Sequence, residues 1–224
     1  MRITSFNVNK FCGAYSNGNY FNPKNIDFKT PIKRMIDTLL ETNEDVVFLQ
    51  EVTDNKFVEL EKLFPNDKYK IHSYDRLTLK SLVVAITLEN SLWKRKKKEE
   101  YSNFEFTNKI IDMYLPEKSI RIVSFHNTNI AIKDKVEKLF SEQDDIDIFL
   151  GDFNDNEWVN ELNSNTALNY RDVVTNDMIT YKPGQTAIDR IFIRKEEFDN
   201  NIVFNGITET FLSDHNLISF SLNV

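Results

Sequence analysis

The sequence predicts an α/β fold in which two packed β-sheets carry helices on their outer faces. Two kinds of strand indicate this arrangement. Residues 46–49 form a continuous apolar run, and residues 146–150 form one that only Asp147 interrupts; such runs are typical of strands covered on both faces. Residues 218–224 instead alternate between apolar and polar side chains, as expected for a strand with one solvated face. Helical patterns lie between the strands along the chain, so helices are expected to cover the two sheets.

Seven apolar runs are predicted strands and four amphipathic runs are predicted helices. In chain order the strands are residues 3–8, 45–50, 82–88, 120–125, 146–150, 188–193 and 218–224. The first helix begins at Thr30-Pro31, a capping residue followed by proline in the first turn. The apolar residues at helical spacing are Ile32, Met35, Ile36, Leu39 and Leu40 in the first helix, Phe57, Leu60, Leu63 and Phe64 in the second, Ile132, Val136, Leu139 and Phe140 in the third, and Trp158, Val159 and Leu162 in the fourth.

Length and composition are those of an ordinary globular protein. With 224 residues, 41% of them hydrophobic and 28% charged, the chain predicts one domain spanning residues 1–224, and we expect a monomer. Cys12 is the only cysteine, so an intrachain disulfide is excluded and a reducing, cytoplasmic location is expected. No apolar run approaches the roughly 20 residues of a membrane helix, so no membrane span is expected. The chain opens on a strand pattern, so no leader peptide is expected either.

Polar side chains lie at the ends of the predicted strands. Asp189 lies inside the apolar strand 188–193, where a charge is costly to bury unless it is paired. Because ligands of α/β sheets collect at one end of the strands, we expect a polar site assembled from distant segments. The strand-end residues are Asn7, Glu51, His126, Asp152, Asp214 and His215.

Six short blocks occur in an order that resembles the endonuclease/exonuclease/phosphatase superfamily. They are Ser5-Phe6-Asn7-Val8-Asn9, Phe48-Leu49-Gln50-Glu51-Val52, Ser124-Phe125-His126, Gly151-Asp152-Phe153-Asn154-Asp155, Ile188-Asp189-Arg190-Ile191 and Ser213-Asp214-His215. The match extends from residue 2 to the C-terminus. The resemblance implies a four-layer α-β-β-α sandwich and metal-dependent hydrolysis of phosphoesters.

The residue types fit this chemistry. Anionic phosphate oxygens repel nucleophiles, so a divalent cation that neutralises charge is a natural requirement, and magnesium prefers oxygen ligands. Glu51 is the expected ligand, with Asn7 and Asp214 contributing directly or through water. Mg²⁺ is the expected ion and Mn²⁺ the alternative.

The remaining side chains have expected roles in catalysis. Asp152 and Asn154 are expected to hold the attacking water and a phosphate oxygen. His126 is expected to donate to a phosphate oxygen or to protonate the leaving group. His215 is expected to pair with Asp189, which would fix its tautomer and stabilise the imidazolium. The resemblance implies a general base without deciding between Asp152 and the His215–Asp189 pair.

Each of these side chains also has a purely structural interpretation. Asn154 can cap the helix that carries Trp158, and Asp189 can pair with Arg190 or Arg194. The others can be strand-end groups or solvated acids. A structural role would have to apply to every one of these residues at once, although they occur in this order along the chain. This coincidence is hard to explain without function, so a functional site is favoured.

Two segments are candidates for substrate contact. Lys94 and Arg95 begin a run of five cations, residues 94–98, that can contact phosphates while the preceding Trp93 stacks on a base. The alternative is an edge strand guarded by lysines. Asn9 begins a long loop, residues 9–25, that is a candidate for substrate recognition.

The leading hypothesis is a metal-dependent nuclease that hydrolyses DNA, with DNA favoured over RNA, by attack of water at phosphorus. The alternative is a phosphatase or phosphodiesterase acting on a nucleotide, an inositol phosphate or another small or lipid phosphoester. The net charge of −7 favours this alternative because it repels a polyanion at long range. A non-catalytic relative that binds a phosphorylated partner is disfavoured, because a binding module needs no full set of acids, bases and metal ligands.

Overall fold

The structure, a computed structural model, describes residues 1–11, 15–16, 19–20, 29–74, 81–97, 108–195, 201–210 and 212–223. The helices are α1 Lys29–Leu39, α2 Asp54–Leu63, α3 Ile130–Glu142 and α4 Asn156–Ser164. The strands are β1 Arg2–Asn7, β2 Tyr15–Ser16, β3 Asn19–Tyr20, β4 Val46–Val52, β5 Tyr69–His72, β6 Leu82–Leu88, β7 Lys94–Arg95, β8 Ile110–Leu115, β9 Ile120–His126, β10 Ile148–Asp152, β11 Tyr170–Asp172, β12 Asp189–Arg194, β13 Ile202–Thr208 and β14 Leu217–Leu222.

Two six-stranded sheets form the centre of the fold. The strand order is β13-β14-β1-β4-β6-β5 in the first sheet and β11-β12-β10-β9-β8-β7 in the second, and β2 pairs with β3 separately. Each large sheet contains one central parallel pair, β1 with β4 or β9 with β10. Helices α1 and α2 pack on the first sheet, and α3 and α4 on the second. This is the predicted four-layer α-β-β-α sandwich, so the predicted fold class is confirmed.

Strand β4 illustrates why the layers form. Val47 and Leu49 pack in the cluster that includes α1 and α2, whereas Val46 and Phe48 belong to the cluster between the two sheets. All four side chains are buried. A continuous apolar run therefore belongs to a strand that lies between a helical layer and a second sheet, as the sequence predicted.

Three of the longer strands, β5, β8 and β13, were not predicted from the sequence. Strand β8 carries Asp112 within an apolar run, and this buried carboxylate lies 2.7 Å from Nη2 of Arg121 on β9. The stabilising partner belongs to another strand, so the local pattern does not reveal it. Strand β13 lies at a sheet edge, is largely solvated and has an irregular register between Phe204 and Gly206.

The parallel strands place the candidate residues at one edge of the sandwich. Strands β1 and β4 run in the same direction, and so do β9 and β10, so the carboxyl ends of each pair lie together. A hydrogen bond between Asn7 of β1 and Asp152 of β10 shows that both pairs end at the same place. Among the described helices, none has the length and apolar character needed to span a membrane.

Candidate active site

Three of the predicted site residues stand side by side at the end of the second sheet. Asp152 closes β10, and its register partners are His126 at the end of β9 and Asp189 at the start of β12. Neighbouring strands lie about 4.8 Å apart, so strand pairing alone brings the three side chains together. All three are buried, and Asp152 is only 1% exposed.

Gly151 permits the close approach of β10 to β9. Its φ of 137° is a conformation that L side chains rarely adopt, and a Cβ there would lie 2.0 Å from the carbonyl oxygen of Phe125. Only glycine therefore fits directly before Asp152. This is the physical reason for the glycine in the Gly-Asp-Phe-Asn block.

Asn7 and Glu51 are supplied by the first sheet. Asn7 ends β1, and Glu51 lies in an irregular part of β4, where the pairing with β6 shifts between Leu49 and Val52. The shift inserts one extra residue, as in a β-bulge, and Glu51 has a φ of 60°. Bulges re-aim side chains, and this one turns the Glu51 carboxylate towards the second sheet.

Polar contacts join the two sheets at this edge. Gln50 Nε2 donates to Ser5 Oγ at 3.1 Å and to Ser124 Oγ at 3.0 Å. Asn7 Nδ2 donates to Asp152 Oδ2 at 2.8 Å. The contacts to Ser124 and Asp152 cross between the sheets, so they fix the two halves of the site relative to each other.

Glu51 lies between a histidine, an amide and an ammonium group. Its Oε1 is 3.4 Å from Asn7 Nδ2 and 3.4 Å from His126 Nε2. Its Oε2 is 3.6 Å from Lys10 Nζ. His126 Nε2 is also 3.8 Å from Asp152 Oδ2. Residues that are far apart in sequence thus surround one small volume.

His215 is oriented by Asp189. His215 Nδ1 lies 2.8 Å from Asp189 Oδ2, which directs Nε2 towards Asp152 Oδ2 and Asp214 Oδ1, each 4.0 Å away. The ring of Tyr181 packs against the imidazole with 4.9 Å between the ring centroids. The His215–Asp189 contact has the geometry expected of an orienting pair.

The structural interpretation of Asp189 as a partner of Arg190 or Arg194 is wrong. Arg190 Nη1 lies 3.0 Å from Asp172 Oδ2, and Arg194 Nη2 lies 3.4 Å from Asp147 Oδ1. Both arginines therefore pair with carboxylates other than Asp189. The charge of Asp189 is therefore compensated by His215.

The turn after β10 is held by its own polar groups. The Asn154 amide donates to Asp152 Oδ1 at 2.9 Å, and Asn154 Nδ2 donates to the carbonyl of Asn127 at 2.9 Å. Asn154 has a φ of 53°, a conformation that asparagine tolerates better than most residues. The interpretation of Asn154 as the cap of α4 is wrong, because Asp155 accepts the bond from the Trp158 amide at 3.0 Å.

The buried groups have strongly shifted pKa values. Burial lowers the pKa of His126 to about 3, aided by the charge of Lys109. Burial alone would lower the pKa of His215, but the charge and hydrogen bond of Asp189 outweigh it and raise that pKa to about 10. Burial, together with the charge of Asp189, raises the pKa of Asp152 to about 8. The site thus contains a neutral histidine, an imidazolium and a carboxyl that titrates near neutral pH.

The donor set fits a divalent cation. Ligand atoms of Glu51, His126 and Asp152 lie within 4.8 Å of one another, and so do those of Asp152, Asp189 and His215. Glu51 Oε2 is buried and makes no hydrogen bond. Crowded carboxylates and an orphaned carboxylate oxygen are what a hard cation would stabilise.

A cleft of about 690 Å³ opens beside Glu51 and His126. Its volume is in the range of ordinary ligand-binding pockets, roughly 300–1,000 Å³. Besides Glu51 and His126, its walls are formed by Lys10, Ser81, Asn127, Thr128, Asn129, Ile130, Lys133, Asn154 and Asp155.

The residues predicted to contact the substrate through a basic run, Trp93, Lys94 and Arg95, lie away from the cluster. Trp93 is 2% exposed and donates Nε1 to the carbonyl of Glu44, so the prediction that it stacks on a base is wrong. Lys94 and Arg95 form the edge strand β7. Strand β7 pairs with β8 and β8 with β9, and this register aligns Lys94 with a residue of β9 that lies five positions before His126. Five positions along a β-strand correspond to about 16 Å. Their position agrees with the alternative of a guarded edge strand.

Asn9 acts on the site through Asn7. Its backbone amide donates to Asn7 Oδ1 at 2.9 Å, which leaves the Asn7 amide group free to face Asp152. Direct contact of Asn9 with substrate stays a prediction. Most of the loop 9–25 lies outside the described residues, as does Lys98.

Several residues that shape the site were not predicted. Asn127 directly follows His126, so its position after a strand was a usable signal, and Gln50 directly precedes Glu51. Asn127 Nδ2 donates to the Phe153 carbonyl at 2.8 Å and so braces the same turn as Asn154. Lys109 and Tyr181 carry no such signal, because turns outside every block supply them.

Comparison with known proteins agrees with this geometry. A sequence model of the Endonuclease/Exonuclease/phosphatase family matches residues 4–215, which include every residue of the cluster. No curated protein matches the chain. Solved structures match it at low identity and over almost its whole length.

Three of these structures illustrate the similarity. The endonuclease domain of TRAS1, a telomere-specific non-LTR retrotransposon, has a TM-score of 0.66 and 14% identity, with 100% of this chain and 98% of that chain covered. D. rerio TDP2, complexed with single-strand DNA product, has a TM-score of 0.61 and 17% identity, with 99% and 98% covered. The 3' phosphatase NExo from Neisseria, bound to a product DNA hairpin, has a TM-score of 0.58 and 15% identity, with 100% of both chains covered. The chain belongs to the Endonuclease/Exonuclease/phosphatase family and is a hydrolase of phosphoesters.

Proposed function

We propose that the chain is a Mg²⁺-dependent nuclease that hydrolyses DNA phosphodiester bonds by attack of water at phosphorus. The observation that carries this proposal is the hydrogen bond from Asn7 to Asp152, which joins Glu51 and His126 to His215 in one cluster. An array of acid, base and metal-ligating groups is what hydrolysis requires and what simple binding does not.

The metal is proposed to lie on the Glu51 side of the cluster. Glu51 and Asn7 would be its protein ligands, and Asp214, which lies on the His215 side, would contribute through water. When bound, a divalent cation neutralises charge on the phosphate oxygens and makes phosphorus easier to attack. Mg²⁺ is the proposed ion because the donors are mainly oxygens, and Mn²⁺ is the alternative.

The protonation states favour Asp152 as the general base. With a pKa of about 8, Asp152 is ionised in only a fraction of the molecules at neutral pH, but this ionised form is a stronger base than an ordinary carboxylate, and a bound divalent cation would increase that fraction. His215, with a pKa of about 10, already carries a proton at that pH and cannot accept another. We therefore assign His215 to electrostatic stabilisation of the developing charge, with Asp189 holding the ring in place.

His126 is proposed to donate a hydrogen bond to a phosphate oxygen. Its pKa of about 3 means that the ring is neutral, so it stabilises the oxygen as a donor and does not deliver a proton as an imidazolium. Asn154, fixed by Asp152 and Asn127, would bind a phosphate oxygen or the attacking water from the other side.

DNA is the proposed substrate because two similar structures, TDP2 and NExo, hold DNA products. A small phosphomonoester is the second candidate. The net charge of −7 favours it, and NExo is named as a 3' phosphatase. Residues 1–224 are proposed to form one catalytic domain that acts as a monomer.

Nicking of supercoiled plasmid tests the proposal. Purified protein with Mg²⁺ should nick the plasmid, and both a chelator and the His215→Ala substitution should stop it. His72→Gln is the matched control, because His72 lies outside the cluster, and it should nick like the wild type. Absence of nicking, with Mg²⁺-dependent release of phosphate from a 3'-phosphorylated oligonucleotide, would replace the first candidate by the second.

A further inference from the structure

The hydrogen bond to Asp189 fixes only one edge of the His215 ring. Nδ1 lies 2.8 Å from Asp189 Oδ2, whereas Nε2 is 4.0 Å from Asp152 Oδ2 and 4.0 Å from Asp214 Oδ1, beyond hydrogen-bond range. Among the hydrogen bonds of the described residues, none holds Nε2. The χ2 torsion of histidine has a broad energy minimum, so the plane of the ring must be set by its packing neighbours.

Tyr181 is the aromatic neighbour of this ring. The two ring centroids are 4.9 Å apart and the planes are inclined by 45°. The backbones of Tyr181 and His215 are paired in an antiparallel β-bridge, so the two side chains meet as a cross-strand pair. An aromatic contact at this distance restricts the tilt of the imidazole, which the bond to Asp189 leaves free.

Gly184 packs against the Tyr181 ring. A second bridge pairs Tyr181 with Thr186, and the turn between them brings Gly184 to the ring. A Cβ at Gly184 would lie 3.0 Å from Tyr181 Cδ1 and 3.3 Å from Tyr181 Cε1, closer than the about 3.5–4.0 Å that carbon atoms prefer. The position of the tyrosine ring therefore depends on the absence of a side chain at residue 184.

The residues on either side of Tyr181 hold the rest of the histidine segment. Thr180 Oγ1 accepts a hydrogen bond from the Asp189 amide at 2.9 Å, and the Thr180 carbonyl accepts one from the Asn216 amide at 2.7 Å. The Lys182 amide donates to the Asp214 carbonyl at 2.9 Å. This stretch of three residues therefore contacts both the acid that orients the histidine and the backbone on either side of the histidine.

We propose that Tyr181 is a positioning residue for the reaction, whose ring fixes the plane of the His215 imidazole so that Nε2 stays directed into the cluster. The inference rests on the proposed function, in which His215 stabilises charge that develops in the transition state, and deepens it. Such stabilisation depends on placement, because a displacement of about 1 Å can cost about 10²-fold in rate. Tyr181 acts through His215 and does not itself contact the substrate.

Removal of the ring tests this role by steady-state kinetics on the substrate that the wild type cleaves. In Tyr181→Ala, kcat should fall about 10–10²-fold while KM stays unchanged, because the lost effect belongs to the transition state. Tyr181→Phe keeps the ring and should retain most of the wild-type kcat. A raised KM with unchanged kcat, or equal losses of kcat in both variants, would overturn the inference.

Tyr114→Ala is the matched control for the loss of a tyrosine. Tyr114 is also half-buried, but it lies on β8 opposite a residue of β9 that is five positions before His126. Its removal should leave kcat and KM close to those of the wild type. A loss of kcat equal to that of Tyr181→Ala would overturn the inference, because it would show a general response to the missing side chain.

Gly184→Ala displaces the ring without removing it. The added methyl group would meet Tyr181, so kcat should fall in the wild-type background but not in Tyr181→Ala, where no ring remains to be displaced. Gly206→Ala is the control, because nothing lies within 4 Å of its added Cβ, and it should keep the wild-type kcat. Equal losses from Gly184→Ala in both backgrounds would overturn the role of the ring.

NMR of the metal-free protein observes the ring geometry without turnover. The chain has three histidines, so the ring protons of His215 can be identified by comparison with His215→Ala. At one pH near neutrality, loss of the aromatic ring current in Tyr181→Ala should move these signals, and Tyr181→Phe should leave them almost in place. Unchanged signals in Tyr181→Ala would overturn the inference. The expected shifts in a chain that cleaves neither DNA nor a 3'-phosphorylated oligonucleotide would overturn the proposed function alone.

Discussion

Asp152 is held by groups from both sheets and lies among like charges. Asn7 Nδ2 and the Asn154 amide each donate to one of its oxygens, at 2.8 Å and 2.9 Å. Burial and the charges of Asp189 and Glu51 nevertheless raise its pKa to about 8. The ionised form of Asp152 therefore lowers the stability of the folded chain, and the same raised pKa makes its carboxylate a stronger base.

Replacing Asp152 by asparagine should separate these two effects. Without the carboxylate, turnover should fall by about 10²–10⁴, the usual contribution of a general base. The raised pKa means that the folded wild type loses stability as the pH rises from 3.8 towards 8, and the variant lacks this loss. In metal-free buffer at about pH 9, the variant should therefore unfold at a temperature equal to or above that of the wild type.

Thermal unfolding and steady-state rates check this prediction side by side. Asp177→Asn is a suitable control, because Asp177 is an exposed acid whose side chain contacts only the nearby Thr175 hydroxyl among the contacts described. A wild-type rate in Asp152→Asn would contradict the assigned base.

Asp189 keeps His215 charged, and removing its charge should change the pH dependence of activity. In the wild type the pKa of His215 is about 10, so the ring stays protonated across the neutral range. In Asp189→Asn, burial is no longer opposed by that carboxylate, and the pKa of His215 should fall. Activity should then decline with rising pH where the wild type does not. Parallel pH profiles of kcat/KM, or an unchanged imidazole titration by NMR, would contradict the role of Asp189.

At the level of elements, the close approach of β9 and β10 at Gly151 should make this pair sensitive to substitution. In Gly151→Ala the added methyl group would meet the Phe125 carbonyl at 2.0 Å in a conformation unfavourable to alanine. We expect a loss of about 2–4 kcal/mol in the free energy of unfolding. Gly206→Ala is the matched control: its φ is 102°, but nothing lies within 4 Å of the added atom. Its cost should be that of the backbone alone, about 1–2 kcal/mol. Equal losses in urea denaturation would show that the contact with Phe125 has no effect.

The elements that the sequence predicted are those whose pattern is local. The apolar run of β4 and the alternation of β14 each identify a strand from its own residues. Strand β8 was not predicted because Asp112 interrupts its apolar run, and its partner Arg121 lies on another strand. The edge strand β13 is largely solvated, so it carries little hydrophobic signal.

At the level of the whole molecule, the site residues that could be predicted are likewise those with a local sequence signal. Residues within the six family blocks could be predicted because each block carries its own motif. Lys109 and Tyr181 could not, because only the packing of the two sheets brings their turns to Glu51 and His215. Trp93 was assigned to the substrate because aromatic and basic residues adjoin in sequence, whereas burial in the core decides its position.

The stability of the whole sandwich towards acid should depend on His72. Burial lowers the pKa of His72 to about 4, and its Nε2 contacts Thr87 Oγ1 at 3.1 Å. In the unfolded chain His72 is protonated below its ordinary pKa of 6.5, whereas in the folded chain it stays neutral down to about pH 4. Stability is therefore lost as the pH falls through this window, by about 3 kcal/mol at most.

His72→Gln should remove that loss. Urea denaturation near neutral pH and at about pH 4.5 should show a smaller decrease in the free energy of unfolding for the variant, by about 2 kcal/mol. An equal decrease in both proteins would mean that His72 is protonated without cost in the folded state.

The proposed cleavage of DNA depends on a divalent cation held at Glu51, where the strand ends of both sheets meet. Mg²⁺-dependent plasmid nicking by the wild type and by Glu51→Gln, compared over a range of Mg²⁺ concentrations, tests it most directly. Glutamine keeps the shape and one oxygen but removes the charge that the metal needs. We expect the wild type to nick the plasmid and the variant to lose about 10² or more in rate, with part of the rate recovered at higher Mg²⁺. Equal nicking at every Mg²⁺ concentration would contradict this expectation.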